Sequence, residues 1–170
     1  GGLDLSGRTD LTGFILYGLY KGKWYCWCWC WTPEKGLHER AKRDRAPYDL
    51  WVQQGFMLTT PGATVDYEFV AYELVKNICP GLNITGIAFD RWRIQFLRKE
   101  IERLGAELPL VEWGQGFKDM GPAIDAIEDK VLNHALRHGG HVLAVIADDV
   151  VVGDLPVRAR RIERRVDGDR

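Results

Sequence analysis

The sequence predicts an α/β fold: a mixed sheet in which an antiparallel meander is followed by β-α-β units, with helices flanking the sheet. Three observations carry that prediction. Apolar runs at Leu3–Leu5, Gly13–Tyr20 and Trp24–Trp31 follow one another closely, and Lys21-Gly22-Lys23 supplies a tight turn between the second and third. From Asp66 onward, helical and strand patterns alternate, as they do in chains that build a sheet with helices on its faces. The composition, 46% hydrophobic and 28% charged over 170 residues, suits one globular domain with a real core.

The elements follow in order. Leu3-Asp4-Leu5 opens the meander, and Trp24–Trp31 is apolar on both faces, which suits a central strand covered on each side. Thr32-Pro33-Glu34 offers a helix start. Two short polar helices, Leu37–Arg45 and Pro47–Gln54, are broken at Pro47 and stopped at Gly55. Phe56–Thr59 is a short strand. Asp66 caps an amphipathic helix over Tyr67–Ile78 that Pro80-Gly81 closes, and the β-branched run Ile84–Phe89 ends at Asp90. Ile94, Leu97, Ile101 and Leu104 form a helical stripe closed by Gly105. Leu108–Trp113 is a strand, Asp119–Leu136 a long segment, and Val142–Ala147 the last clear strand. Beyond Val152 the pattern dissolves. Residues 157–170 hold six Arg against Glu163, Asp167 and Asp169, which suits a solvated tail and a DNA-facing segment equally. The expected organisation is a domain over 1–152 and an Arg-rich segment over 153–170.

Lys+Arg 23 against Asp+Glu 24 leaves a net charge of −1, so no global field announces or excludes nucleic acid. No apolar run approaches the ~20 residues that span a bilayer, and Gly1-Gly2-Leu3-Asp4 lacks the features of a signal peptide, so the expected location is the cytoplasm, with no membrane partner. Cys26, Cys28 and Cys30 alternate along one strand and point to one face, with Cys79 far away; packing as small hydrophobes is the expected role. His134 and His138 lie four apart on an expected helical face, with no Glu placed as a metalloprotease base, so a structural role outweighs zinc. Lys42, Arg43 and Arg45 sit among Glu39, Asp44 and Asp49, as on a solvated helix face.

Two aspartates stand out. Asp4 lies inside an apolar strand, where an ionised carboxylate is costly unless paired or bound to a metal. Asp90 ends a second apolar strand. Ligands gather at the carboxyl ends of strands in open α/β sheets, so the two aspartates are placed to converge on a hard cation; chance placement at strand ends is the competing reading.

The sequence also resembles the C-terminal nuclease domain of the large terminase subunit of tailed bacteriophages and prophages, from Gly2 to about Val152. The resemblance rests on Gly2-Leu3-Asp4-Leu5-Ser6 with Thr9-Asp10-Leu11-Thr12, Asp44-Arg45-Ala46-Pro47-Tyr48 with Trp51 and Gly55, and Thr60-Pro61-Gly62 with Val65-Asp66-Tyr67. It continues through Phe89-Asp90-Arg91-Trp92, Gly114-Gln115-Gly116-Phe117-Lys118-Asp119-Met120 and Leu136-Arg137-His138-Gly139-Gly140. It implies a ribonuclease H-like fold and a metal-dependent endonuclease that cuts concatemeric double-stranded DNA by two-metal hydrolysis with Mg²⁺ or Mn²⁺. Asp4 resembles the first-strand metal ligand and Asp90 the second. Arg165-Val166-Asp167-Gly168 is similar to the family's last ligand string, which gives Asp167 the third place, with Asp10 auxiliary. Arg8, Arg91 and Lys118 are the expected DNA contacts, Lys118 from a Gly-flanked loop. The implied partners are DNA, the small terminase subunit and the portal. The family continues from that last string into an apolar helix where this chain reads Asp169-Arg170, and its Walker-type ATPase domain has no counterpart here. The rival readings are a ribonuclease H-like junction resolvase and a catalytically impaired DNA-binding remnant.

Overall fold

The computed structural model describes residues 1–138. The expected strand Val142–Ala147, the segment 153–170 and Asp167 lie outside the described residues. Strands β1 (Gly2–Asp4), β2 (Thr12–Tyr20), β3 (Lys23–Pro33), β4 (Leu58–Thr60), β5 (Ile87–Phe89) and β6 (Leu110–Glu112) form one sheet in the order β4-β3-β2-β1-β5-β6, and β7 (Leu136–His138) also pairs with β3. The meander β1-β2-β3 is antiparallel, whereas β1-β5, β5-β6, β3-β4 and β3-β7 are parallel. The mixed sheet with helices is the predicted one.

Local chemistry explains the meander. Lys21 and Gly22 both adopt left-handed backbone angles, φ 49 and 75, between the paired Tyr20 and Lys23, which is the geometry that matches strand twist in a two-residue hairpin. Thr12, Phe14 and Leu16 of β2 are buried while Ile15, Tyr17 and Leu19 are exposed, so β2 has one inward face. That face meets α3 (Tyr67–Tyr72), which continues as a π-helical segment over Glu73–Ile78, and α4 (Ile94–Arg103). The core there includes Leu3, Phe14, Trp31, Leu74, Phe89 and Leu97. Asp66 caps α3 as expected, its carboxylate accepting the Glu68 N–H at 2.9 Å and the Phe69 N–H at 3.3 Å. A smaller cluster, Cys30, Tyr48 and Met57, forms under α1 (Leu37–Asp44) and α2 (Tyr48–Gln53).

Four expectations need correction. Thr32 and Pro33 extend β3 instead of starting a helix; α1 begins at Leu37 behind Gly36 (φ 72). The buried Arg40 guanidinium pins the intervening turn by donating to the Lys35 carbonyl (2.6 Å), the Pro33 carbonyl and Thr32 Oγ1 (3.2 Å). Burial of β3 on both faces holds only from Cys30 onward; Trp24–Trp29 are half-buried, because α1 and α2 cover the far end of the strand. His134 and His138 share no helical face: α5 (Phe117–Leu132) has ended, His134 sits at φ 50, and Leu136–His138 pair with Trp24–Cys26. Lys118 lies in the first turn of α5, since the preceding loop stops at Gly116. Among the described residues, no helix is long and apolar enough to cross a membrane.

Candidate metal centre at the ends of β1 and β5

The parallel pairing of β1 with β5 sets Gly2 opposite Ala88 and Leu3 opposite Phe89. Asp4 and Asp90 are the next residue on each strand, so they stand side by side at the carboxyl ends of two neighbouring strands, whose backbones lie ~4.8 Å apart. The register is enforced from below. Leu3 and Phe89 are 6% and 3% exposed in the core, and a one-residue slip of either strand would turn its own core residue to the opposite face. Asp4 also pairs with Gly13 of β2, which offers no side chain to crowd it.

Asp4 is exposed and ends its strand, so the expected burial penalty at that position is absent. Asp90 is half-buried, and its Oδ1 accepts the Trp92 N–H at 3.2 Å, folding the chain back after β5. Neither carboxylate forms an ion pair among the described residues. No group of three or more His, Cys, Asp or Glu suited to a metal occurs among those residues either, so the described donor set at this edge is the pair Asp4 and Asp90.

The loop that continues β1 past Asp4 is held on three sides. Buried Ser6 donates its N–H to Thr12 Oγ1 at 3.0 Å, and the Thr12 hydroxyl lies 3.0 Å from Ser6 Oγ. The Tyr67 hydroxyl donates to the Ser6 carbonyl at 2.5 Å, and the Val65 N–H to the Arg8 carbonyl at 2.9 Å. Arg8 itself is exposed. Asp10 is exposed, accepts the Leu11 N–H at 2.8 Å, and exerts its field on Cys30, Arg43 and Tyr48; this places it toward α1 and α2.

On the β6 side, the Trp113 N–H donates to the Phe89 carbonyl at 2.9 Å, which carries the pairing past Glu112 and brings the Gly114–Gly116 loop beside Asp90. The Asp119 carboxylate packs where a Gly114 Cβ would stand, which brings the start of α5 against this loop. Arg91, 72% exposed, faces Glu112 at 3.6 Å.

Sequence reasoning missed Tyr67, the Ser6–Thr12 pair and Arg93. Arg93 carries a left-handed φ of 67 at the start of α4, and three of its guanidinium atoms lie 3.3–3.7 Å from where a Gly7 Cβ would be. Gly7, three residues after Asp4, was the readable signal of a close approach. The β3 thiols are packing groups: burial first, then neighbouring thiols, pushes Cys28 up to about 11 and Cys30 up to about 12. His138 is buried, which lowers its pKa.

Residues 1–157 match the family model described as terminase large subunit, endonuclease domain. The terminase large subunit of Enterobacteria phage HK97 is 48% identical over 174 residues, covering 98% of this chain and 34% of the relative. The crystal structure of the HK97 bacteriophage large terminase superposes with a TM-score of 0.76 at 52% identity, covering 84% of this chain and 30% of that one. The chain thus spans about a third of the length of the curated relative it matches. The ribonuclease H-like sheet, the paired aspartates at its edge and these matches agree: the chain belongs to the family of terminase large subunit endonuclease domains.

Proposed function

We propose that this chain is the nuclease module of a genome-packaging terminase, C-terminal in the full subunit, and that it cuts concatemeric double-stranded DNA with two divalent ions. The observation that carries the reading is the adjacency of Asp4 and Asp90 at the ends of parallel β1 and β5, in a chain of this family. Carboxylate oxygens suit Mg²⁺ or Mn²⁺, and Mg²⁺ sites commonly use only one or two carboxylates together with waters and substrate phosphates. The pair therefore fits such ions. Bound there, the ions would supply charge stabilisation and an activated water at the scissile phosphate.

The protein's own part is positioning. Leu3 and Phe89 fix the spacing of the two carboxylates from inside the core, while Tyr67, Thr12 and Val65 hold the 6–10 loop beside them. Asp90 stays oriented through the Trp92 N–H. Asp167 is the proposed third ligand. Asp10 is kept as an auxiliary carboxylate, and Arg8, Arg91 and Lys118 as DNA contacts on the exposed rim. The packaging partners, small subunit and portal, belong to the whole machine and are proposed on family grounds, as is action in the cytoplasm of the bacterial host.

Supercoiled plasmid incubated with the purified chain and Mn²⁺ or Mg²⁺ tests this. Nicked and linear products that vanish with chelator are expected. DNA binding without any metal-dependent cleavage would instead identify an impaired remnant, and preference for four-way junctions over linear duplex a resolvase.

A further inference from the structure

We propose that the Arg93 guanidinium is a backbone-phosphate contact that seats one DNA strand across the ends of β1 and β5. The proposal rests on the nuclease reading above and extends it to a residue outside the expected Arg8, Arg91 and Lys118 set. Arg93 follows Asp90 by three residues, and its left-handed backbone turns the side chain inward, so that it is half-buried while Arg91 and Trp92 stay exposed. Its Nη2, Cζ and Nε lie 3.3, 3.6 and 3.7 Å from the position of a Gly7 Cβ, a spread so small that the guanidinium lies flat on the bare backbone of the β1–β2 loop. The Tyr67 hydroxyl is within its reach, and the nearby positive charge opposes the upward push of burial on that phenol.

The informative feature is what Arg93 does not touch. Two candidate ligands, Asp4 and Asp90, are close in the chain or in the fold, yet Arg93 has no carboxylate partner within ion-pair distance among the described residues. Of the neighbouring arginines, Arg91 pairs with Glu112, Arg103 with Glu68 and Glu100, and Arg98 lies over the Phe89 ring. Gly7 and Tyr67 hold the Arg93 head where it leaves both aspartates free for cations, with donors remaining for an anion that presents two oxygens. A phosphodiester is the anion such a fork matches. Arg93 also bridges the loop after β1 and the loop after β5, so a phosphate held there lies on the same sheet edge as the aspartate pair.

The test is binding of a fluorescent duplex to the chain in Ca²⁺, across a series of KCl concentrations. For Arg93→Gln, affinity should fall several-fold and the slope of log K against log[salt] should flatten by about one unit, the signature of one lost phosphate contact, while Arg93→Lys keeps the slope. Arg103→Gln, in the last turn of α4 and ion-paired with Glu68 and Glu100, is the control and should leave it unchanged. If Arg93→Gln folds poorly, phenylglyoxal labelling of the unmutated protein serves: duplex should protect Arg93 and leave ion-paired Arg103 reactive. An unchanged slope, or labelling of Arg93 that DNA does not suppress, overturns the proposal. Failure of the nuclease reading shows separately, as absence of metal-dependent plasmid nicking by the unmutated chain.

Discussion

The Tyr67 hydroxyl donates to the Ser6 carbonyl at 2.5 Å and so ties the start of α3 to the loop leaving β1, two residues beyond Asp4. The ring itself is held separately, stacked on Phe96 with an interplanar angle of 3°. Tyr67→Phe keeps the stacked ring and removes the hydroxyl, and with it both the tie to Ser6 and the contact with Arg93. A loss of about 1–3 kcal/mol in urea unfolding is expected, since the carbonyl of buried Ser6 loses its partner. Plasmid nicking should fall proportionally further than stability does, because the loop beside Asp4 gains freedom. Equal nicking by Tyr67→Phe and the unmutated chain would remove the loop from the account of the site.

Asp4→Asn and Asp90→Asn should each reduce Mn²⁺-dependent nicking by more than about 100-fold, the upper end of what loss of a mere outer-shell partner causes. Their folding should survive. Two adjacent carboxylates repel, so in chelator the melting temperature of either variant should equal or exceed that of the unmutated chain. Added Mn²⁺ should raise the melting temperature of the unmutated chain, through preferential binding to the folded state, and should fail to raise that of the variants. Differential scanning calorimetry with and without Mn²⁺ reads both effects.

Asp66→Ala deletes the cap of α3 and leaves the Glu68 and Phe69 N–H groups unpaired. A loss of about 1 kcal/mol is expected in denaturant unfolding. Asp66→Asn, which still presents an accepting oxygen, should recover most of it.

The β3 thiols give a pH prediction. Their folded-state pKa values are raised by burial, to about 11 for Cys28 and about 12 for Cys30, against an ordinary value of 9.0. Protons are therefore held more tightly by the folded chain, and stability from this source is complete below pH 9 and lost as pH rises through 11 and 12. Chemical denaturation at pH 8 and pH 10 should show the decline, and a Cys28→Ala/Cys30→Ala variant a shallower one. The same burial makes the thiols slow toward thiol reagents at pH 8, and zinc after metal-free dialysis should stay well below one ion per chain.

What the sequence made legible divides along lines of range. The β2-β3 hairpin could be read because its cause is local: alternating side chains on either side of Lys21-Gly22. The capping of α3 by Asp66 and the stripe of α4 are equally local. The convergence of Asp4 and Asp90 is expected from their places at strand ends, but the direct parallel pairing of their strands joins segments far apart in the chain, which periodicity does not encode. Strand β7 went unseen because three residues carry too little pattern, and the four-residue spacing of His134 and His138 imitates a helix. Arg93 was passed over for Arg91, since the difference between them is one backbone torsion; its φ of 67 sends the second arginine inward. Arg40, in the polar helix expected over Leu37–Arg45, is buried over three acceptors of the preceding turn, a role no local pattern marks.

The central place of β1 has a consequence for the order in which the molecule assembles. Its antiparallel pairing with β2 closes a short loop, but its pairing with β5 joins segments separated by about 85 residues, and the entropy of that closure must be met before the contact is gained. The hairpins can therefore form early, whereas Asp90 reaches Asp4 only when β5 docks, together with the α3 and α4 layer that covers Leu3 and Phe89. A chain stalled before that docking would hold a formed meander and a solitary aspartate. Competence for chemistry would thus arrive with a long-range step of folding, and a copy in which β5 has not docked would be unable to assemble the pair.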